Sequence, residues 1–348
     1  MRESRAKRLL IVVGLLLGAL LCEGAIRVYD AARGRSSHAR AFWYWLYEQD
    51  AYLGWRGRPN ARLVTDLDDI RHNEDGHRDD RSLAGFARLA PGHRLILCVG
   101  ESSTYGVSAG TNDRTYPASL ERALRELTGG DAWHVYNAGM PGYTSHEVLE
   151  QLDLQLLRAR PEIIVEMNLA NDHDFMGRYI DETTDYNHLP IRLAQVSRSP
   201  ARDLLMRSSL YALLVSRLSL RYGDDLGSRQ LDPPYERATA RGLKFYQDNL
   251  AMTALLARRS GATLMLVDQP IDYTGLPPVE VASYESMREA LRQVAAGERL
   301  PLLAAQSKLD WTGLRIHQGV HLGANGYERL AKLLAPQILS AAAPRTSN

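Results

Sequence analysis

Short apolar runs alternate with helical patterns through most of this chain, and this alternation limits the fold more than any other feature. The runs cover residues 95–99, 133–138, 161–167 and 262–267. Each is short and apolar enough to be a buried strand. Strands that alternate with helices form a mostly parallel sheet covered by helices on both faces. The sequence therefore predicts an α/β fold.

The helices between these runs carry start and stop signals. Pro117 suits the first turn of a helix that ends before a pair of glycines. Thr144 and Glu147 have the spacing of a capping box, which opens a second helix. A long helix is predicted from about residue 236 to 259, and Gly261 closes it.

Ser102 directly follows the first run, in the sequence Gly100-Glu101-Ser102. Ligands of open α/β sheets bind at the carboxyl ends of the strands, so a serine at this place is a candidate nucleophile. Small polar residues after a strand are also ordinary turn residues. Taken alone, Ser102 leaves both interpretations open. Cys98, inside the run, is predicted to be a small buried side chain rather than a nucleophile.

The amino terminus has the pattern of an exported protein. An apolar segment at 9–26 follows a basic stretch containing Arg2, Arg5, Lys7 and Arg8, and such a stretch keeps the start of the chain in the cytoplasm. No clear small-x-small cleavage site follows, which favours an uncleaved anchor over a cleavable signal peptide, although the apolar tract is a little short for a span. We predict a cytoplasmic tail at 1–8, a single transmembrane signal anchor at 9–26 in the inner membrane, and a periplasmic remainder.

Residues 27–90 form a leader region with little periodicity, which packs on or links to the main domain at 91–340. Its aromatic cluster at 42–45 suits either a membrane interface or a cap on the core. The turn signal at Asp75-Gly76 predicts a hairpin packed on the main domain.

Residues 176–235 interrupt the alternation with polar sequence and an apolar helix near 204–220. Long insertions at the carboxyl side of a sheet commonly form lids or substrate walls. A helical pair that only extends the core is the other interpretation. Residues 341–348 are predicted to be a tail. In the leader, Arg78 is a candidate contact for an anionic substrate.

Four blocks along the chain resemble, in order, those of the SGNH (GDSL-type) hydrolases, and the leader resembles that of membrane-anchored bacterial members. The blocks are Gly100-Glu101-Ser102, residues 137–145, residues 168–172, and Gly319-Val320-His321-Leu322. The resemblance covers roughly residues 90 to 340. It implies the family's three-layer α/β/α sandwich, here with an added transmembrane helix.

The resemblance also implies roles for individual residues. Acyl transfer needs a nucleophile, a base that takes its proton, and donors for the developing oxyanion. Ser102 would be the nucleophile, and its own N–H one donor. The Gly142 N–H would be the second donor, with Gly139 as the other choice, and the Asn171 side-chain amide the third. His321 would be the general base.

Two positions depart from the family pattern. Leu169 replaces a glycine, so the turn there is expected to differ in shape, and Asp172 in the same block would bond the local backbone. Gln318 stands where the family usually has Asp, three residues before the histidine. Three alternatives follow: a Ser-His dyad assisted by Gln318 or a backbone carbonyl, a carboxylate from elsewhere such as Asp310 or Asp268, or a weakened enzyme.

Composition and spacing argue against other classes of function. A formal net charge of +1 and the lack of a basic run give no reason to expect nucleic-acid binding. His317 and His321 lie four apart in a loop with no third ligand nearby in sequence, which does not predict a metal site. We expect no cofactor.

The sequence thus predicts a periplasmic serine esterase that hydrolyses small, acetyl-like esters on a glycan or lipid through a Ser102 acyl-enzyme. An O-acetyltransferase acting on an exported polysaccharide would use the same acyl-enzyme, so residues alone do not separate the two. A non-catalytic glycan-binding or assembly protein with a degenerate site is the alternative outside the enzymes. The chain gives no indication of protein partners.

Overall fold

The computed structural model describes residues 2–36, 39–86, 89–173, 193, 195–217 and 240–342. Most of the predicted insertion at 176–235, the start of the helix predicted from 236, and the chain after 342 therefore lie outside the described residues.

The strands are short, and only the central ones are longer than four residues. In chain order they are β1 Tyr47–Asp50, β2 Gly54–Gly57, β3 Arg62–Val64, β4 Asp69–Arg71, β5 Arg94–Gly100, β6 Trp133–Asn137, β7 Ile163–Met167, β8 Thr263–Val267, β9 Leu302–Leu303, β10 Ile316–His317 and β11 His321–Leu322.

The helices fill the connections between these strands. They are α1 Arg2–Ala32, α2 Phe42–Leu46, α3 Leu83–Phe86, α4 Ser102–Tyr105, α5 Tyr116–Thr128, α6 Ser145–Leu154, α7 Pro200–Leu205, α8 Ala240–Ser260, α9 Pro278–Gly297, α10 Ala305–Lys308 and α11 Ala324–Ala342. Short 3₁₀ turns occur at Ala39–Ala41, Asn112–Arg114 and Leu156–Ala159.

Strands β5 to β9 form one parallel sheet in the order β6-β5-β7-β8-β9. The four predicted strands are confirmed as β5 to β8, whereas β9, only two residues long, was not predicted. In the register, Cys98 of β5 lies opposite Asn137 of β6, and Gly100 lies opposite Met167 of β7. The carboxyl ends of these three strands are therefore neighbours at one edge.

Helices cover both faces of the sheet, as predicted. Alternate residues of β5 point to opposite sides: Leu95, Leu97 and Val99 belong to one core cluster, and Ile96 and Cys98 to the other. The first cluster contains residues of α6, α8 and α9, and the second contains residues of α5 and α11. This arrangement is the three-layer α/β/α sandwich.

The predicted helix signals are used as expected. Pro117 lies in the first turn of α5, and Gly129 caps its end with a φ of 67°. Thr144 and Glu147 make the capping box of α6, in which Thr144 N donates to Glu147 Oε2 at 2.7 Å.

The leader packs on the sandwich through aromatic side chains. Trp55 is fully buried, its Nε1 donates to the Pro141 carbonyl at 3.2 Å, and its own carbonyl accepts the Tyr143 hydroxyl at 2.7 Å. Tyr44 is buried too, and the other aromatic residues of α2 pack against the core, so this cluster caps the core.

Two expectations for the leader were wrong. The hairpins are β1–β2 and β3–β4, whereas Asp75-Gly76 forms a turn after β4 rather than a hairpin. Arg78 is not available to a substrate, because its guanidinium is buried, pairs with Asp68 at 3.0 Å and donates to the Gly106 carbonyl at 2.7 Å.

The described part of the insertion is not one helix. Helix α7 ends at Leu205, residues 206–208 turn, and a second helical segment covers 209–217. This part packs on the leader, where Asp203 accepts a hydrogen bond from the Tyr44 hydroxyl.

Helix α1 is apolar and exposed over most of its length. Its segment Arg5–Ala32 has a mean hydropathy of 2.5 over its most apolar stretch, none of which is buried in the protein. By length and composition it is a candidate membrane span.

Candidate active site

Ser102 is presented by a sharp turn at the end of β5. Gly100 has a φ of 143°, and a Cβ there would lie 2.3 Å from the Met167 carbonyl oxygen, so only glycine fits. Glu101 has an extended backbone and stands directly before α4, whose first residue is Ser102. The turn thus places the Ser102 side chain at the carboxyl edge of the sheet.

His321 reaches this edge from a separate hairpin. Strands β10 and β11 pair antiparallel, and β11 carries His321, which is 6% exposed. Its Nε2 lies 2.8 Å from Ser102 Oγ, although 219 residues separate the two. For Nε2 to accept the serine proton, the neutral ring must carry its own proton on Nδ1. The geometry is that of a nucleophile and its base.

The other ring nitrogen of His321, Nδ1, is the one that a triad carboxylate would bond. Nδ1 is buried, and it has no hydrogen-bond partner in the part of the chain that the structure describes. Gln318 does not assist it, because this residue is exposed at the hairpin turn with a φ of 54°. Asp268 is paired with Arg288, and Asp310 is exposed and paired with Arg329. The expected contacts from Gln318, Asp268 or Asp310 are therefore wrong for this structure.

The surroundings of His321 favour its neutral form. Burial lowers the pKa of His321 to about 4, and His317 on the facing strand adds to the effect. The two imidazole rings are 6.2 Å apart between centroids. No carboxylate of the described residues bonds Nδ1, so none of them offsets the cost of burying the imidazolium. His321 is thus neutral at pH 7.

The expected oxyanion donors lie on the two neighbouring loops. Gly142 is in the turn between β6 and α6, and Asn171 is just past β7. Asn171 Nδ2 donates one hydrogen bond to the Tyr143 carbonyl at 2.9 Å, which ties the two loops together and leaves its second proton for another acceptor. Gly139 has a different role. A Cβ at this position would lie 2.2 Å from Tyr105 N, so a residue without a side chain lets the segment after β6 pack closely against α4.

A buried polar network that could not be predicted from the sequence connects the loops that carry Ser102, Asn171 and His321. Glu101 Oε2 accepts the backbone N–H of Asn171 at 2.7 Å, and Glu101 Oε1 accepts the amide of Gln269. Gln269 also donates to Ser103 Oγ at 2.9 Å and accepts the N–H of Ala170 at 3.0 Å. Ser103 Oγ in turn donates to the carbonyl of Val320, next to His321, at 2.9 Å.

Only a weak signal for this network exists in the sequence. Glu101 and Gln269 are polar residues that closely follow apolar strands, and both side chains are fully buried. The two residues are 168 positions apart, so no local sequence pattern predicts that their side chains bond each other.

Asp172 bonds its own backbone, as expected, and also a second element. Its carboxyl accepts the backbone N–H of Ser145 at 2.9 Å and the Ser145 hydroxyl at 2.6 Å, so it fixes the start of α6. Burial raises the pKa of Asp172 to about 7. Leu169, in place of the family's glycine, is buried in the core.

Among the described residues, no group of three His, Cys, Asp or Glu side chains has the arrangement of a metal site. His317 is exposed and faces His321 across the hairpin.

The profile of the GDSL-like Lipase/Acylhydrolase family matches residues 98–329, well over half of the 348 residues, and includes all four blocks. The chain belongs to this family. It is a hydrolase that acts on ester bonds, and its three-layer sandwich is the fold of the SGNH hydrolases. No curated protein sequence matches the chain.

The solved structures to which the chain is similar are distant in sequence. The lipase/acylhydrolase from Enterococcus faecalis is 17% identical with a TM-score of 0.46, over 73% of this chain and 100% of that one. TesA is 18% identical with a TM-score of 0.44, over 70% and 98%. An acetylxylan esterase from Geobacillus stearothermophilus is 14% identical with a TM-score of 0.42, over 70% and 94%.

Proposed function

We propose that this GDSL-type hydrolase cleaves small acyl esters through a covalent acyl-enzyme on Ser102. The observation that carries the proposal is the 2.8 Å contact between Ser102 Oγ and His321 Nε2. In the first step His321 takes the Ser102 proton as Oγ attacks the ester carbonyl, and the protonated ring then gives this proton to the leaving alkoxide. In the second step His321 takes a proton from the water that attacks the acyl carbonyl. It then returns this proton to Ser102 Oγ as the carboxylic acid leaves.

The negative charge of the tetrahedral intermediate would be held by the N–H groups of Ser102 and Gly142 and by the second proton of Asn171 Nδ2. The bond from Asn171 to the Tyr143 carbonyl supports this role, because it orients the amide before substrate arrives. Donors fixed in advance stabilise a developing charge without reorganising.

The catalytic machinery would be a dyad. Loss of the triad carboxylate costs serine proteases about four orders of magnitude in kcat. Because His321 Nδ1 lacks a partner among the described residues, we expect a slow enzyme for which activated esters are better substrates than stable ones.

The catalytic domain would lie outside the cytoplasm, anchored by α1. The basic residues before the apolar tract support this orientation. Next to a membrane, the natural ester would be an acetyl-like group on a glycan or a lipid.

The test is hydrolysis of p-nitrophenyl acetate by the full-length protein in detergent. Ser102→Ala should lower kcat by at least about 50-fold, which is what the nucleophile still contributes when the triad carboxylate is absent. Asn171→Ala should lower it by about 100-fold to 1000-fold, because one oxyanion donor is lost. Ser286→Ala, which removes an exposed hydroxyl of α9 that donates to the Ala282 carbonyl of its own helix, serves as the matched control.

Equal turnover by Ser102→Ala and the parent protein would contradict the proposal. A parent that is folded and unreactive toward the ester, yet acetylates an added glycan from an acyl donor, would instead establish the acetyltransferase.

A further inference from the structure

Glu23 is an acidic residue inside the apolar half of α1, and its carboxylate is held by residues far along the chain. It accepts hydrogen bonds from the N–H groups of Ser209 and Leu210 at 2.9 and 2.8 Å, and from the Ser208 hydroxyl at 2.8 Å. Arg27, one turn later, donates to Glu23 at 2.6 Å and to the Arg207 carbonyl at 2.8 Å.

The length of the apolar tract fixes where this contact lies relative to a bilayer. Leu9–Cys22 is only about 21 Å long at 1.5 Å per residue, against a hydrocarbon core of about 30 Å. Extension through Ile26 gives about 27 Å. A span through this helix therefore has to include the turn that carries Glu23, so this carboxylate lies at the outer edge of the hydrocarbon.

The contact therefore brings residues 207–210 to the depth of Glu23. Apolar side chains on both sides of this contact are turned outward: Leu204 is 67% exposed, Leu205 47% and Leu214 52%. Arg207 and Arg217 are exposed on the same stretch. Exposed leucines with flanking arginines are typical of segments that lie in a membrane interface, where the guanidinium groups reach the lipid phosphates.

We propose that residues 204–214, here called the docking segment, enter the outer leaflet beside α1 and form a second membrane contact. The occupant of the leucine surface is the lipid of the same bilayer. This inference rests on the proposed membrane anchor. It goes beyond an anchor on a flexible tether, because two contacts fix the orientation of the catalytic domain relative to the membrane.

The test is nitroxide accessibility in the full-length protein reconstituted in vesicles of phosphatidylethanolamine and phosphatidylglycerol at 3:1. Cys22→Ser removes the exposed thiol, and Cys98 is fully buried. Labels are placed one at a time through Leu204→Cys and Leu214→Cys, with Leu16→Cys in α1 as the lipid reference. Leu127→Cys, an equally exposed leucine at the end of α5, is the matched control in water.

We expect the ratio of oxygen to nickel-complex accessibility at 204 and 214 to come within about twofold of position 16 and to exceed position 127 at least about fivefold. Hydrolysis of p-nitrophenyl acetate by each labelled protein checks its folding.

Ratios at 204 and 214 equal to position 127, with position 16 in lipid, would overturn the docking segment and leave the anchor intact. A water-like ratio at position 16 would overturn both. Dipolar broadening between labels at 204, together with low accessibility to both reagents, would show a second copy of the chain on this surface and would also overturn the proposal.

Discussion

His321 has no carboxylate beside it among the described residues, and this should be visible in the pH dependence of catalysis. Burial lowers its pKa to about 4, so the ring remains an acceptor well below the pH at which an ordinary histidine charges, about 6.5. We expect kcat/KM for p-nitrophenyl acetate to stay flat from pH 7 to pH 5 and to reach half its plateau near pH 4.

His317→Gln is the companion variant, because it removes the neighbouring charge and should move this midpoint upward. Gln318→Asp should leave the midpoint where it is, since residue 318 is exposed. A midpoint at 6.5 or above in the parent protein would contradict the isolated ring, because a nearby carboxylate would then be holding the proton.

Gln269 is predicted to be a positioning residue that joins the Ser102, Asn171 and His321 loops through Glu101 and Ser103. Gln269→Glu would set two buried carboxyl groups against each other, and at pH 7 we expect kcat to fall at least tenfold with little change in KM. Because protonation relieves the repulsion, part of the loss should be recovered at pH 5.

Gln306→Leu is the control for Gln269, since Gln306 bonds the Ile271 backbone and Arg288 beside the same loop, rather than Glu101 and Ser103. It should reduce stability and leave kcat within about twofold of the parent. A pH-independent loss in Gln269→Glu, or an equal loss in both variants, would reduce Gln269 to a purely structural residue.

Individual site residues could be predicted only where a block of sequence carries them. Ser102, Asn171 and His321 stand in such blocks, and two of them are in hydrogen-bond contact. That His321 Nδ1 has no partner among the described residues could not be predicted, because the position of residue 318 depends on the path of a hairpin turn. Gln318 has the right spacing in sequence, yet a φ of 54° turns it to solvent.

At the scale of elements, the start of α6 holds the backbone to which the Asn171 side chain is bonded. Thr144 and Glu147 satisfy its first N–H groups, and the next residue toward the amino terminus, Tyr143, accepts the bond from Asn171. Thr144→Ala should lower the free energy of unfolding by about 1 kcal/mol through loss of the cap, measured by urea titration. Thr128→Ala, in the last turn of α5, should change it by clearly less, because that hydroxyl donates to the Leu124 carbonyl of its own helix and caps no N–H group.

Elements with local signals were predictable and elements without them were not. Strands β5 to β8 and helices α5 and α6 are marked by apolar runs, Pro117 and the capping box. Strand β9 has two residues and pairs with β8 at the edge of the described sheet, so its position depends on a partner far away in sequence. The hairpin expected at Asp75-Gly76 failed because the residues after this turn pack as an irregular segment against the domain.

At the scale of the whole molecule, buried histidines between the leader and the sandwich should make the protein sensitive to acid. Burial lowers the pKa of His72 to about 3 and that of His77 to about 4. His72 contacts the Tyr105 hydroxyl at 2.7 Å, and His77 contacts the Tyr136 hydroxyl at 2.7 Å. The unfolded chain binds protons at these sites first as the pH falls below about 6.5, so folding stability is lost between there and about pH 4.

His77→Gln removes one of these groups, and we expect it to lose less stability than the parent between pH 7 and pH 5, by on the order of 2 kcal/mol. Urea midpoints followed by tryptophan fluorescence provide the measurement. Glu166 and Asp172, whose pKa values are raised to about 8 and about 7 by burial, act in the opposite direction, so the comparison of variant with parent is the informative quantity. Equal losses in the two proteins would show that His77 is accessible to protons in the folded state.

The central claim, a nucleophilic Ser102 activated by His321, is tested most directly by intact-protein and peptide mass spectrometry after reaction with a fluorophosphonate. We predict one adduct per chain, located on Ser102, absent in Ser102→Ala and formed at least about 100-fold more slowly in His321→Ala. A folded protein that remains unmodified, or an adduct on another residue, would contradict the claim.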